Sequence, residues 1–283
     1  MEKKEFLNVL GIQIQSTLGD KKENYKKVEN TINEGFKEGT DLVVLPEVWT
    51  CGWCPDLFRA SAEDLETGET TEFLKSLAKK YNCYVVGGSY ITEQDGKFYN
   101  TCPVINDKGE LVAHYNKSHL FSYYGCAEGT YVENGNQPVL VNIKGIKTGL
   151  TVCYDIRFPE IYRAYRKAGA DLLINVAAWG SNKKDVWRTL TSARAMENQC
   201  NFIAIDQKGL IKDNEYNLGY SRVINYDGSI NKEIDEAKNY IYATIKFDSA
   251  MYDFRNNLKT PCWNLQEDFA QTCRSAGVLP FGF

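Results

Sequence analysis

Residues 148–176 read TGLTVCYDIRFPEIYRAYRKAGADLLINV, and this stretch decides the architecture. Thr148–Cys153 is a short apolar run of strand type. Pro159 then stands where a first helical residue belongs: its missing N–H costs nothing there, and its fixed φ suits a helix. Ile161, Ala164, Tyr165 and Ala168 recur at helical spacing until Gly169 stops the helix. Leu172–Val176 is a second apolar run, of the kind that parallel strands bury on both faces. Strand, crossover helix and strand together make one βαβ unit.

The same pattern extends outward in both directions. Phe6–Gln15 reads as an opening strand, and Asp20 with Glu23 has the spacing of a helix cap. Tyr25, Val28, Ile32 and Phe36 follow at helical intervals up to Gly39. Asp41–Leu45 is a buried strand, and Phe73, Leu74, Leu77, Ala78 and Tyr81 mark a second helix. Strand-like runs follow at Cys83–Ile91, Tyr99–Asn106, Leu111–Tyr115 and Val139–Ile143. Beyond the opening unit come a helix over Asp185–Asn198 and strands at Phe202–Asp206, Ser221–Asn225 and Tyr240–Phe247. Gly39, Asp41, Leu42 and Trp49 line up with Gly169, Asp171, Leu172 and Trp179, as two similar βα units would. No low-complexity linker divides the chain. Strands outnumber helices and hairpin turns mix with α-crossovers, so the reading is one α/β domain containing two sheets.

Composition removes several functional classes. Thirty-three basic against 37 acidic residues give a net charge of −4, which argues against a nucleic-acid or anionic-membrane partner. No apolar run approaches the roughly 20 residues of a membrane-spanning helix. No signal-peptide pattern follows Met1–Glu5, so the expected location is cytoplasmic. Only two histidines, His114 and His119, are present, and HExxH-type metal sites are absent. Nine cysteines, an odd number, read as reduced thiols.

Three polar residues sit where apolar strands end. Glu47 follows Leu42-Val-Val-Leu-Pro46, Lys117 follows Leu111-Val-Ala-His-Tyr-Asn116, and Cys153 ends Gly149-Leu-Thr-Val152 at a helix entry. Taken singly, each has an ordinary reading as an exposed acid, a snorkelling lysine or a core thiol. Taken together they make chemical sense, because strand exits are where open α/β folds assemble sites. A free thiol is only about 3% ionised at neutral pH, so a cysteine nucleophile needs help. A neighbouring carboxylate can take its proton during attack. A lysine, with the backbone N–H of Tyr154, can stabilise the oxyanion that develops. The same glutamate can protonate a leaving amine and then activate water.

These segments resemble the nitrilase superfamily of carbon–nitrogen hydrolases, which use a Glu–Lys–Cys triad. Leu45-Pro46-Glu47 is similar to the family's glutamate motif and Lys117-Ser-His-Leu-Phe121 to its lysine motif. Cys153-Tyr-Asp-Ile-Arg-Phe-Pro-Glu160 is similar to its cysteine motif. The likeness extends to Ala193–Gln199 and spans nearly the whole chain. It implies a four-layer αββα sandwich of two mixed sheets, one domain over 1–283, usually assembled as a homodimer or larger. The last 30 or so residues, around Arg255, Pro261 and Asp268, would be an extension making oligomer contacts. It implies Glu47 as base and acid, Lys117 as oxyanion stabiliser and Cys153 as the acylated nucleophile. A second glutamate falls on Glu128, with Glu133 as a competing position of poorer spacing. The cysteine motif looks most like the Nit branch, whose amides carry a remote carboxylate. Arg157 is a candidate to meet that group, although pairing with Asp155 or Glu160 is the commoner fate of such an arginine. Tyr123, Tyr124 and Trp179 are candidate pocket residues.

The expected enzyme is therefore an amidase acting on a small linear amide and water, with no metal or organic cofactor. A nitrile hydrolase or N-carbamoyl amidohydrolase would use the same triad. A rival from another class is thiol redox chemistry through Cys51-Gly-Trp-Cys54, although no second pair completes a zinc knuckle. Both histidines read as structural.

Overall fold

The structure is a computed structural model that describes residues 4–123 and 126–258. Tyr124 and the segment beyond Leu258, which includes Pro261 and Asp268, lie outside the described residues. The chain divides into a unit ending at Phe247 and a second unit beginning at Asp248, within which Ser249–Asn257 is helical.

Two sheets build the larger unit. The first runs Tyr240–Lys246, Phe6–Ile12, Leu42–Val44, Tyr84–Val86, Lys97–Ile105, Tyr90–Gln94 and Glu63–Asp64, with Leu111–Asn116 also paired to Lys97–Ile105. The second runs Leu140–Ile143, Ile146–Val152, Leu172–Ala177, Asn201–Asp206, Arg222–Ile224 and Ile230–Glu233. Each has a parallel centre flanked by antiparallel strands, the mixed arrangement expected from the sequence.

The sheets meet face to face around Gly11. A Cβ there would lie 2.2 Å from Ile205 Cδ1 and 2.7 Å from Ile241 Cγ2, so the first strand needs glycine to let the second sheet approach. The outer face of the first sheet is covered by helices Lys21–Gly35 and Glu69–Tyr81. Val28, Ile32, Leu74, Leu77 and Ala78 pack there on Leu10, Ile12, Val43, Val85 and Ile105. Burying each of the larger side chains contributes about 1.5–3 kcal/mol. Asp20 caps the first helix by accepting the Glu23 N–H at 3.0 Å. Helices Pro159–Lys167 and Lys184–Asn198 cover the second sheet. Tyr162 reaches Thr151 at 2.8 Å, and Arg194 Nε donates to Ile156 O at 3.0 Å. The result is the four-layer αββα sandwich.

The internal echo is structural as well. Asp41 N donates to Asn8 O and its carbonyl accepts from Tyr84 N; Asp171 N donates to Lys147 O and its carbonyl accepts from Asn201 N. The two aspartates thus occupy matching stations at the start of a central parallel strand in each sheet.

Two strand expectations need correction. Cys83–Ile91 is not continuous: it breaks into Tyr84–Val86 and Tyr90–Gln94 at Gly87-Gly88. Gly88 has φ +64°, and a Cβ on it would stand 2.0 Å from Pro46 O. The break lets this backbone pass against the residue preceding Glu47. The hairpin formed by Lys208–Lys212 and Glu215–Leu218 was not anticipated. Its turn residues Asp213 and Asn214 have φ +47° and +67°, which such short polar residues tolerate best.

Candidate active site

Glu47, Lys117 and Cys153 each follow a strand at one rim of the sandwich, and folding brings them into one cluster. Lys117 Nζ lies 2.9 Å from Glu47 Oε1, and 2.9 Å and 3.1 Å from the two carboxylate oxygens of Glu128. All three side chains have no exposed surface. Burial by itself would depress the lysine's pKa, but Glu128 and then Glu47 outweigh it and hold the ammonium well above the ordinary lysine range. Glu128 is pushed up by burial, with Lys117 pulling against this and Glu47 adding to it. Glu133, the competing position, is exposed and makes no part of the cluster.

Fixed donors set the carboxylates in place. Ala178 N donates to Glu47 Oε2 at 2.8 Å and Gln207 Nε2 to Glu47 O at 2.6 Å, tying the first sheet's glutamate to the second sheet. Phe121 N donates to Glu128 Oε2 at 2.7 Å. Asn100 Nδ2 donates to Glu47 Oε1 at 2.9 Å and to Glu128 Oε1 at 3.1 Å. Sequence reasoning passed over Asn100. Its only signal is an amide near the start of the strand run Tyr99–Asn106.

Cys153 has φ +44° and Val48, just after Glu47, has φ +39°. Left-handed backbone at a non-glycine residue costs about 1–3 kcal/mol and is a mark of functional turns. The turn at Cys153 is held by Asp155, whose Oδ2 accepts from Val152 N at 2.9 Å and Tyr115 OH at 2.8 Å. Its Oδ1 accepts from His119 N at 2.9 Å and faces His119 Nδ1 at 2.7 Å. Asp155 therefore locks the cysteine turn to the lysine loop. His119, stacked on Phe158 at 3.7 Å, belongs to this brace. Tyr154 lies in the first turn of the short helix Cys153–Arg157, where backbone N–H groups lack intrahelical acceptors.

Burial pushes the Cys153 thiol well above its ordinary range, Glu47 adds to this by charge and by accepting the S–H, and Lys117 opposes it. This environment favours the protonated thiol of Cys153 over a standing thiolate.

A cavity of about 350 Å³ opens above Cys153. Tyr123, Tyr154, Arg157 and Trp179 line it, as do Trp53 and Lys183. The expected pairing of Arg157 is absent: among the described residues it has no carboxylate partner. Its guanidinium lies 5.1 Å from the Trp179 ring centroid and 5.7 Å from that of Tyr154. Asp155 is unavailable to it because four donors from the lysine loop and the cysteine turn already converge on that carboxylate. Cys51 and Cys54 are buried free thiols, and burial pushes Cys51 up to about 11. An exchange-active dithiol needs an accessible, readily ionised sulfur, so this environment disfavours redox chemistry there. Trp53, between them, instead covers Lys117, whose Nζ is 5.2 Å from its ring centroid.

Asp206 was also missed, because an acid ending an apolar strand looks like an ordinary strand terminus. It is fully buried, and Oδ1 accepts the Trp179 N–H at 2.7 Å. Burial raises its carboxyl well above the usual range, the Trp179 N–H pulls the other way, and Glu47 adds to the rise. The native state thus keeps a proton that the unfolded chain releases near pH 4, and stability falls as pH rises from there through the native pKa. Asp206→Asn retains an acceptor but no titrating proton. Its Tm relative to wild type is expected to climb as the pH is raised from about 5 to 8. A gap constant across that range in calorimetry would contradict the assignment.

With the geometry described, known proteins provide the comparison. The family model for carbon–nitrogen hydrolases matches residues 11–251. A 2-oxoglutaramate amidase of Bacillus subtilis is 34% identical over 235 residues, covering 83% of this chain and 88% of that protein. Nitrilase homolog 2 of Dictyostelium discoideum is 34% identical over 257 residues, covering 88% of this chain and 77% of its own. Among solved structures, Nit3 of Saccharomyces cerevisiae, a member of branch 10 of the nitrilase superfamily, superposes with a TM-score of 0.82. That match has 26% identity and covers 91% of this chain and 96% of Nit3. The fold and the match define an enzyme that hydrolyses carbon–nitrogen bonds other than peptide bonds. The chain belongs to the carbon–nitrogen hydrolase family, within the nitrilase superfamily.

Proposed function

We propose that the protein is a thiol amidase that cleaves a small linear ω-amide of a carboxylic acid through an acyl-enzyme on Cys153. The observation that carries this reading is that Cys153, beside the buried Glu47–Lys117 pair, lines a cavity on whose wall Arg157 has no carboxylate partner among the described residues. The name of the Bacillus relative, a 2-oxoglutaramate amidase, agrees with it.

Cys153 Sγ attacks the amide carbon while its proton passes to Glu47. The carbonyl π bond opens to an oxyanion facing Lys117 Nζ and the Tyr154 N–H, each such donor being worth roughly 3–4 kcal/mol. Collapse breaks the C–N bond, the nitrogen takes the proton back from Glu47, and ammonia leaves. Water then attacks the thioester, giving a proton to Glu47. The second collapse expels the sulfur, which recovers that proton, and releases the carboxylic acid. Glu128 takes no proton in this cycle; it supplies the charge that keeps Lys117 an ammonium.

The test is to mix enzyme with an ω-amide of a five-carbon dicarboxylic acid, quench within a turnover in acid, and map the peptides by mass spectrometry. The acyl mass is expected on the peptide containing Cys153 and should disappear on adding hydroxylamine. Steady ammonia release with the adduct on another residue would sink the assignment.

A further inference from the structure

Lys183 is the second cation on the cavity wall, and nothing in the triad chemistry uses it. It is half-buried, and its Nζ lies 5.4 Å from the ring centroid of Phe121 and 5.3 Å from that of Tyr123. Its backbone is fixed: the Trp179 indole N–H donates to Lys183 O at 3.0 Å, and Lys183 N donates to Gly180 O at 3.1 Å. Trp179 is therefore a shared reference for two cations, since Arg157 lies over its ring. Trp179 is itself held by Asp206 and by Leu218 N of the hairpin, which donates to Trp179 O at 2.7 Å. Among the described residues neither Lys183 nor Arg157 forms an ion pair. Glu215, on the hairpin, lines the same cavity without pairing to either.

Two cations without acids, on apolar walls, are an incomplete arrangement: aromatic faces attract the charges but accept few of their N–H bonds. A carboxylate entering the cavity supplies acceptors to both. We infer that Lys183 is a specificity-determining residue that, with Arg157, receives the remote carboxylate of the substrate. This rests on the amidase reading and deepens it, since it names the second side chain by which the cavity tells a carboxylate-bearing amide from a neutral one.

Calorimetric binding on Cys153→Ala protein, which holds substrate without turning it over, tests this apart from catalysis. The ligands are the monoamide of a five-carbon dicarboxylic acid and its methyl ester, in which a methyl group replaces the charge of the far end. Adding Lys183→Met is expected to weaken the acid about 10- to 100-fold, as loss of a charged hydrogen bond does, and to leave the ester unchanged. Lys183→Arg should restore acid binding to within a few-fold. In the otherwise wild-type enzyme the Met change should raise KM for the acid with kcat nearly constant. Equal weakening of acid and ester, or none of either, would overturn the role of Lys183. Acid binding that depends on Lys183, in an enzyme that releases no ammonia, would support the clamp while sinking the amidase reading. Absence of binding by either ligand would overturn both.

Discussion

Glu47→Gln is expected to lower kcat/KM for an ω-amide by about a thousandfold, the scale of a lost general acid–base group. Glu47 accepts the Cys153 S–H, and each turnover of the proposed cycle makes four proton transfers to or from it. The fold should survive, because Lys117 keeps Glu128 at 2.9 Å and the amide can still accept the Ala178 N–H. Thiol chemistry gives a second readout that moves the opposite way. Glu47 raises the thiol's pKa both by charge and by accepting its proton, so neutralising it should make the thiolate easier to form beside Lys117. Alkylation of Cys153 by iodoacetamide at mildly alkaline pH should therefore speed up while amide turnover collapses. Near-normal ammonia release by this variant would remove Glu47 from the mechanism.

Lys117→Met is expected to abolish turnover and also to damage the fold. Among the described residues the ammonium is the one cation between two carboxylates that have no exposed surface, and removing one partner of a buried pair costs about 3–5 kcal/mol. For a chain of this size that is a fall in Tm of roughly 10 °C. The deficit should shrink in acid. The stranded carboxylates of the variant bind protons more tightly folded than unfolded, so its stability rises as pH falls. In wild type the lysine's own contribution is complete below its unfolded pKa of about 10.4 and is lost only as pH rises through the still higher native value. Adding Glu128→Gln to Lys117→Met should recover part of the Tm without recovering activity. A melting temperature equal to wild type across this pH range would contradict the buried-pair account.

Much of this architecture was legible because a few residues constrain it locally. Pro159 and Gly169 bracket a helix between two apolar runs, and Asp20 caps another. The candidate cluster was legible for the same reason, each member being a polar residue set directly after a strand. What could not be read arises from contacts between elements distant in sequence. Asn100 and Asp206 are polar ends or interruptions of ordinary strands until folding places them against Glu47, Glu128 and Trp179. The break at Gly87-Gly88 is dictated by the backbone at Pro46, some forty residues away. The hairpin around Asp213 and Asn214 has mostly polar strands, so hydrophobic alternation gave it no signal, yet it supplies one wall of the cavity. Arg157 shows the limit of composition arguments. Acids on both sides in sequence suggested a paired arginine, but Asp155 is taken by donors from the lysine loop, and the guanidinium turns to Trp179 instead.

In the proposed mechanism carbon–nitrogen bond hydrolysis runs through Cys153. Ammonia release from the monoamide of a five-carbon dicarboxylic acid, measured for wild type and Cys153→Ala at equal concentration, tests it most directly. Steady release by wild type is expected and none above background from the variant, with the two proteins melting within a few degrees of each other. Comparable release by Cys153→Ala would contradict it.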